Sequence, residues 1–120
     1  SGTFMGTTRR LRELNPDLQA IAMQPDSPFN GLEGLKHMPT AIRPAIYDAS
    51  LPDAVHEVRT EEAYDMARKL ARLEGLFVGI SSAAAVVACV DVARTLKTGT
   101  VVTVLPDNGL KYLSERFWSE

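Results

Sequence analysis

Cysteine is nearly absent from the sequence, with Cys89 as the single thiol in 120 residues. One cysteine cannot form a disulfide within the chain. This excludes the class of small disulfide-stabilised domains and leads us to expect a reducing, cytoplasmic location. Cys89 lies between Ala88 and Val90 in an apolar stretch. We therefore interpret its thiol as a buried spectator and not as a nucleophile.

Long apolar runs, an excess of one charge and metal-binding clusters are also missing. No stretch of about 18 apolar residues is present, so we predict no membrane-spanning segment. The formal net charge is −2, which gives no electrostatic reason to expect nucleic acid or a membrane surface as a partner. The histidines, cysteine and carboxylates form no cluster with metal-ligand spacing, so we expect no metal. The 45% hydrophobic content is enough for the core of one domain.

Proline is concentrated in one region of the chain, residues 25–52, which holds five of the seven prolines and also Gly31 and Gly34. Apolar residues such as Leu32 and Met38 recur through this region and argue against disorder. Long ordered loops are uncommon in compact domains and tend to be functional. We therefore predict an ordered loop over about residues 25–52 that lines a functional site.

Helical and strand patterns alternate along the rest of the sequence. Met5, Thr8 and Leu11 recur at helical spacing near the start, and Asn15-Pro16 ends that helix. The elements predicted after it are a strand over 18–23, a strand over 54–58, a helix from Thr60 to Gly75, a helix from Ser82 to about Leu96 and an interior parallel strand over 100–105. Thr60 is expected to cap the second helix, and Lys69 to pair with Asp65 on its surface. This alternation indicates an α/β fold.

The sequence Ser1-Gly2-Thr3 opens the first helix. Glycine allows close approach to the backbone, and the first N–H groups of a helix together with its dipole favour an anion. The three residues therefore form a candidate phosphate cradle.

A second candidate site lies at Gly79-Ile80-Ser81-Ser82, where serines open a helix of very small residues. Serine is a favoured N-cap, but one cap needs only one hydroxyl. The other hydroxyl is free to face a ligand, although a capped, tightly packed buried helix explains the same pattern.

Five motifs in this order and spacing resemble the fold-type II pyridoxal-phosphate enzymes. The similarity is greatest to the cysteine synthase (O-acetylserine sulfhydrylase, B-type) and cystathionine β-synthase family. The motifs that carry the resemblance are Ser1-Gly2-Thr3, Gln24-Pro25, Gly34-Leu35-Lys36-His37-Met38-Pro39, Gly79-Ile80-Ser81-Ser82 and Leu105-Pro106-Asp107-Asn108-Gly109-Leu110-Lys111-Tyr112-Leu113-Ser114. The resemblance implies a tryptophan synthase β-like large domain with a parallel-type sheet flanked by helices. Residues 1–120 would form the C-terminal part of this pyridoxal-phosphate-binding catalytic domain, with the N-terminal portion expected upstream of Ser1.

The resemblance implies pyridoxal 5'-phosphate as the cofactor and assigns residues to it. Ser1, Gly2 and Thr3 match the end of the family's phosphate loop, and Ser81 matches the serine whose hydroxyl bonds the pyridine nitrogen. We assign Ser82 as the helix cap. Ala83 stands where most members have glycine, and we expect it in the first helical turn, where alanine is favourable.

No catalytic residue is assigned within this chain. The family's Schiff-base lysine lies in a motif that none of the four lysines here matches, so we expect that lysine upstream of Ser1. The chain alone is accordingly expected to be inactive. The four lysines are Lys36, Lys69, Lys97 and Lys111.

Gly34, Lys36 and His37 are the candidate substrate-binding residues, because the resembling enzymes place basic residues in this loop. A solvated loop charge is the alternative interpretation of Lys36. The implied function is cysteine biosynthesis by β-replacement on O-acetylserine or O-phosphoserine with sulfide, in a homodimer. Cystathionine β-synthase activity (serine plus homocysteine), a non-catalytic binding module of the same fold, and an unrelated α/β phosphate-binding domain are the alternatives.

Overall fold

The computed structural model describes residues 1–119, so Glu120, which the predicted domain includes, lies outside the described residues. The helices and strands are α1 (Gly2–Leu14), β1 (Ile21–Pro25), β2 (Ala54–Val58), α2 (Thr60–Lys69) and α3 (Ile80–Thr95). A π-helical turn over Leu70–Glu74 extends α2, and 3₁₀ turns lie at Gly109–Tyr112 and Arg116–Trp118. Within this part of the chain, no helix is long and apolar enough to cross a membrane.

The two strands form a parallel sheet, with pairing from Ile21 opposite Ala54 to Pro25 opposite Val58. α2 and α3 pack together, and α3 also contacts both strands. Alanines on the facing surfaces of α2 and α3 allow close approach because they carry only a methyl group. The fully buried residues of this core include Val58, Ala63, Ala67, Ala83 and Ala84. The predicted parallel α/β arrangement is therefore confirmed, with β1 shifted toward Pro25 from the predicted 18–23.

α1 is held against the start of the sheet by its last turns. The Arg12 guanidinium donates to the Leu51 carbonyl at 2.7 Å and to the Asp53 carboxylate at 2.5 Å. The same carboxylate accepts from the Ala20 N–H at 2.7 Å. Ala20 and Asp53 directly precede β1 and β2, so Arg12 lies at the amino edge of the sheet. At 1.5 Å per residue, Ser1 is about 16 Å away along the helix axis.

Thr60 does not cap α2, contrary to the prediction. The N-cap is Arg59, whose N–H donates to the Glu62 carboxylate at 3.2 Å. The Thr60 hydroxyl instead accepts from the Gly31 N–H at 2.9 Å, a long-range contact that no local pattern encodes.

Two further predictions, the partner of Asp65 and the burial of Cys89, differ from the structure. The predicted end of the helix at Gly75 is confirmed. Asp65 pairs with Arg68, not with Lys69, because a spacing of three also brings side chains together on a helix. Gly75 ends the helical region with φ 67°, as predicted. Cys89 in α3 is half-buried rather than buried, so its apolar sequence neighbours do not by themselves determine its burial.

Residues 100–105 do not form the predicted interior strand. They lie outside any helix or strand, and Val102 and Val104 are 84% and 65% exposed. A strand requires a hydrogen-bonded neighbour, and within residues 1–119 the sheet contains only β1 and β2. β-branched composition alone therefore does not produce a strand at this position.

Candidate functional site

The carboxyl ends of β1 and β2 define the edge of the sheet where the candidate loop begins. The Asp26 N–H donates to the Val58 carbonyl at 3.1 Å, which holds the two strand ends together. α2 starts at Thr60, two residues after β2 ends. Ligands of parallel α/β sheets bind outside the carboxyl ends of the strands. We therefore expect a ligand site at this edge.

The loop over residues 31–38, which carries the candidate cations, is anchored at both ends at this edge. Its first residue, Gly31, donates to Thr60, and its last, Met38, donates to the Gln24 side-chain oxygen at 3.3 Å. Leu32 is 1% exposed and packs into the core. We call residues 31–38 the anchored segment.

The candidate substrate-binding residues lie between those anchors. Gly34 has φ +90°, a left-handed conformation that favours glycine and turns the chain. Lys36 is exposed, and His37 is half-buried with its Nδ1 atom 2.8 Å from the Thr40 hydroxyl. The segment thus presents one exposed ammonium group and one imidazole that is oriented by Thr40.

The two serines in the first turn of α3 have different environments. Gly79 is the N-cap, and Ser82 is fully buried and donates to the Asp107 carbonyl at 3.3 Å. The assignment of Ser82 as the cap is therefore wrong, because its hydroxyl is used to tie α3 to the C-terminal segment. Ser81 is half-buried, and its side-chain hydroxyl has no hydrogen-bond partner among residues 1–119. Ala83 lies within the helix without a positive φ, as expected.

Asp107 joins the C-terminal segment to the start of α3. Its carbonyl also accepts from the Gly79 N–H at 3.1 Å, and its carboxylate accepts from the Tyr112 hydroxyl at 2.8 Å. Burial, followed by the hydrogen bond to Asp107, raises the pKa of Tyr112. A Cβ atom at Gly79 would lie 1.9 Å from the Asp107 Oδ1 atom, so only glycine fits at this cap.

An aromatic chain connects the starts of α3 and α2. Phe77 lies 5.0 Å from Trp118, Trp118 lies 4.5 Å from Phe117, and Phe117 stacks on Tyr64 at 4.3 Å between ring centroids. Tyr64 belongs to the second turn of α2, next to the carboxyl edge of the sheet. Phe77, two residues before the N-cap of α3, is thereby linked to the second turn of α2.

The start of α1 fits an anion. Ser1, Gly2 and Thr3 are exposed, and the first N–H groups of a helix have no acceptor within it. A Cβ atom at Gly2 would meet nothing within 4 Å, so glycine here leaves open space rather than relieving a contact. The first turn carries no acidic residue. This chemistry suits a phosphate group.

No hydrogen bond within residues 1–119 joins the start of α1, Ser81 and the anchored segment to one another. The same residues contain no group of three or more metal-ligating side chains. His56 lies 3.3 Å from the Asp91 carboxylate and ties β2 to α3, which is a structural role. Sequence reasoning missed Gln24 as an anchor. Its position directly before the strand-ending Pro25 is the only local signal.

Known proteins of similar sequence indicate the family of this chain. A family model described as "Pyridoxal-phosphate dependent enzyme" matches residues 1–107. The chain is 48% identical to the cysteine synthase of Aquifex aeolicus over 123 residues, covering 99% of this chain and 38% of that protein. It is 40% identical to cysteine synthase B of Pseudomonas aeruginosa, covering 95% and 38%. The chain thus spans about two fifths of the length of these relatives.

Solved structures show the same fold. O-acetyl serine sulfhydrylase isoform 3 from Entamoeba histolytica has a TM-score of 0.89 at 26% identity, covering 99% of this chain and 38% of that one. The O-acetylserine dependent cystathionine β-synthase from Helicobacter pylori has a TM-score of 0.87 at 32% identity, covering 98% and 40%. These likenesses confirm the expected fold-type II arrangement.

Proposed function

The chain belongs to the family of pyridoxal-phosphate dependent enzymes, and we propose that the protein synthesises cysteine by β-replacement on an activated serine with sulfide. The similarity to the cysteine synthase of Aquifex aeolicus supports this proposal most strongly. The anchored segment adds support, because it presents Lys36 and His37 at the carboxyl edge of the parallel sheet, where such domains bind ligands.

Two groups of residues are proposed to hold the cofactor. Ser1, Gly2 and Thr3 offer N–H groups and hydroxyls to its phosphate, in the first turn of α1. The free Ser81 hydroxyl offers a neutral hydrogen bond to the ring nitrogen. When bound, pyridoxal phosphate withdraws electrons from the substrate so that its α-proton and β-substituent can leave. A neutral serine, unlike a carboxylate, does not hold the ring nitrogen protonated, which suits elimination of a good leaving group.

The anchored segment is proposed to receive the leaving group. Lys36 is exposed and forms no ion pair with any described residue, so its ammonium group is available to an incoming anion. A phosphate leaving group carries more charge than acetate and forms stronger charge-assisted hydrogen bonds. On this basis O-phosphoserine is the substrate that Lys36 would favour.

Lys36→Ala in the intact enzyme tests this assignment. We expect kcat/KM for O-phosphoserine to fall about ten- to a hundred-fold more than kcat/KM for O-acetylserine, because a hydrogen bond to a charged group contributes about 1.5–3 kcal/mol. The difference should shrink as ionic strength rises, because Lys36 is exposed. Steady-state kinetics on both substrates at two salt concentrations provide the measurement.

Lys69→Ala is the matched control, since Lys69 is exposed on α2. Lys69→Ala should leave kcat/KM unchanged for both substrates. Equal losses on the two substrates in Lys36→Ala would contradict a role in leaving-group binding. O-acetylserine would then be the simpler substrate.

The likeness to the Helicobacter pylori protein favours a second candidate, cystathionine synthesis. Measuring product formation with sulfide and with homocysteine separates the two activities. We also propose that the Schiff-base lysine lies upstream of Ser1, that residues 1–120 alone are inactive, and that the enzyme is a cytoplasmic homodimer. The chain covers 38% of the Aquifex aeolicus cysteine synthase, which supports a lysine outside residues 1–120. The lone cysteine supports a reducing compartment, and light scattering of the intact protein tests the dimer.

A further inference from the structure

Gln24 is a buried polar side chain whose amide is bonded at both ends. It is 8% exposed and occupies the second-to-last position of β1. Its Oε1 atom accepts from the Met38 N–H at 3.3 Å, and its Nε2 atom donates to the Glu57 carboxylate at 3.1 Å. Glu57 lies directly opposite Gln24 on β2. The amide therefore connects both strands of the sheet to the anchored segment.

The Glu57 carboxylate determines which end of the amide faces the loop. An ionised carboxylate only accepts hydrogen bonds, so it requires the NH₂ end of Gln24. The oxygen end is then directed to the Met38 N–H, which only donates. Flipping the Gln24 amide would place its buried Nε2 donor against the Met38 N–H and its Oε1 acceptor against the Glu57 carboxylate, so both hydrogen bonds would be lost.

The opposite end of the anchored segment, at Gly31, is also fixed. The Gly31 N–H donates to Thr60, and a Cβ atom at Gly31 would lie 2.3 Å from the Tyr64 hydroxyl oxygen. Lys36 and His37 lie immediately before Met38, so they are held by the Gln24 contact. Loss of that contact would release the segment at the end that carries both cations.

We infer that Gln24, oriented by Glu57, is a positioning residue that holds Lys36 and His37 for the anionic group of the substrate. This inference rests on the proposed function of Lys36. It assigns specificity to a side chain that does not itself touch the substrate.

Exchanging the side chains of Gln24 and Glu57 tests the inference in the holoenzyme. Gln24→Glu places two carboxylates side by side, and we expect the preference for O-phosphoserine over O-acetylserine in kcat/KM to fall about three- to ten-fold. Adding Glu57→Gln restores the donor–acceptor complementarity and should return the preference to within about two-fold of the original. Gln24→Leu lacks both hydrogen bonds, so Glu57→Gln should not rescue it.

Hydrogen exchange of the Met38 amide gives a readout that is independent of activity. Exchange should accelerate in Gln24→Leu and stay slow in the Gln24→Glu, Glu57→Gln double variant. Gln19→Leu, at an exposed position just before β1, is the control and should change neither the exchange nor the preference.

The outcomes separate the two proposals. Unchanged Met38 exchange in Gln24→Leu overturns the inference. So does an unchanged preference in the Gln24 variants when Lys36→Ala, measured alongside, alters it, and this result leaves the proposed function intact. If Lys36→Ala leaves the preference unchanged, the role of Lys36 fails and the inference fails with it.

Discussion

Ser81 and Ser82 are adjacent residues of one type, but their side chains have different environments. Ser82 is fully buried and donates to the Asp107 carbonyl, whereas Ser81 is half-buried and has no partner among the described residues. The sequence resemblance assigned the cofactor contact to Ser81, and that assignment stays a prediction. The free hydroxyl makes the assignment physically reasonable, because a serine already bonded within the protein has less to offer a ligand.

Ser81→Ala should weaken cofactor retention several-fold without changing the fold. The reason is that one neutral hydrogen bond contributes about 0.5–1.5 kcal/mol. Ser81→Asp should slow elimination more, because a carboxylate favours a protonated ring nitrogen. Cofactor titration followed by fluorescence, together with turnover, provides the measurement.

Ser82→Ala serves as the comparison, since it removes a hydrogen bond within the protein. It should lower the free energy of unfolding while leaving the cofactor spectrum unchanged. An unchanged spectrum and turnover in both Ser81 variants would refute the assignment of Ser81.

At the scale of the elements, a single carboxylate joins α1 to both strands. Asp53 accepts from the Ala20 N–H and from Arg12, and these contacts, with the Ala20 bond as the larger cause, lower the pKa of Asp53 below its usual value of 3.8. A group with a lowered pKa in the folded state stabilises the fold above its unfolded pKa. That contribution is lost as pH falls through the folded value.

Asp53→Asn should therefore lower the melting temperature at pH 7. The difference from the unmodified protein should shrink as pH falls below about 4, where Asp53 becomes protonated first in the unfolded chain and, at lower pH, in the folded protein. Thermal denaturation of the intact enzyme at pH 7, 5 and 3 measures this. Asp17→Asn, at an exposed position between α1 and β1, should show no such pH-dependent difference, and a constant difference for Asp53→Asn would contradict the charge argument.

At the scale of the whole molecule, the described residues leave several large apolar side chains uncovered. Phe29 and Ile42 are 94% and 97% exposed in the long loop, and Val102 and Val104 are exposed in the region predicted as a strand. Large apolar side chains left this exposed favour association or aggregation where nothing covers them. The two-stranded sheet provides no neighbour for residues 100–105.

We therefore expect residues 1–120, expressed alone, to aggregate or to form a molten state. Such a state binds a hydrophobic dye and lacks a cooperative thermal transition. Dye fluorescence and calorimetry test this expectation. Replacing Val102 and Val104 by lysine should reduce dye binding. A soluble monomer that melts cooperatively without these changes would contradict the expectation.

The sequence alone determined the features that depend on neighbouring residues. The helix that follows Ser1, its end at Asn15, the stop at Gly75 and the strand over 54–58 all follow from local periodicity and chain-terminating residues, and the structure confirms them. The family resemblance also follows from motifs in order along the chain. These features need no knowledge of distant contacts, because helix propensity and capping act within a few residues.

The tertiary structure decided which polar groups meet. Thr60 bonds Gly31 instead of capping α2, Ser82 bonds Asp107 instead of capping α3, and Gln24 reaches Met38. The state of residues 100–105 was likewise set by whether a strand lies beside them and not by their β-branched composition. A donor selects its acceptor by position in space, and hydrogen bonds across many residues are fixed only when the packed sheet and helices bring the partners together.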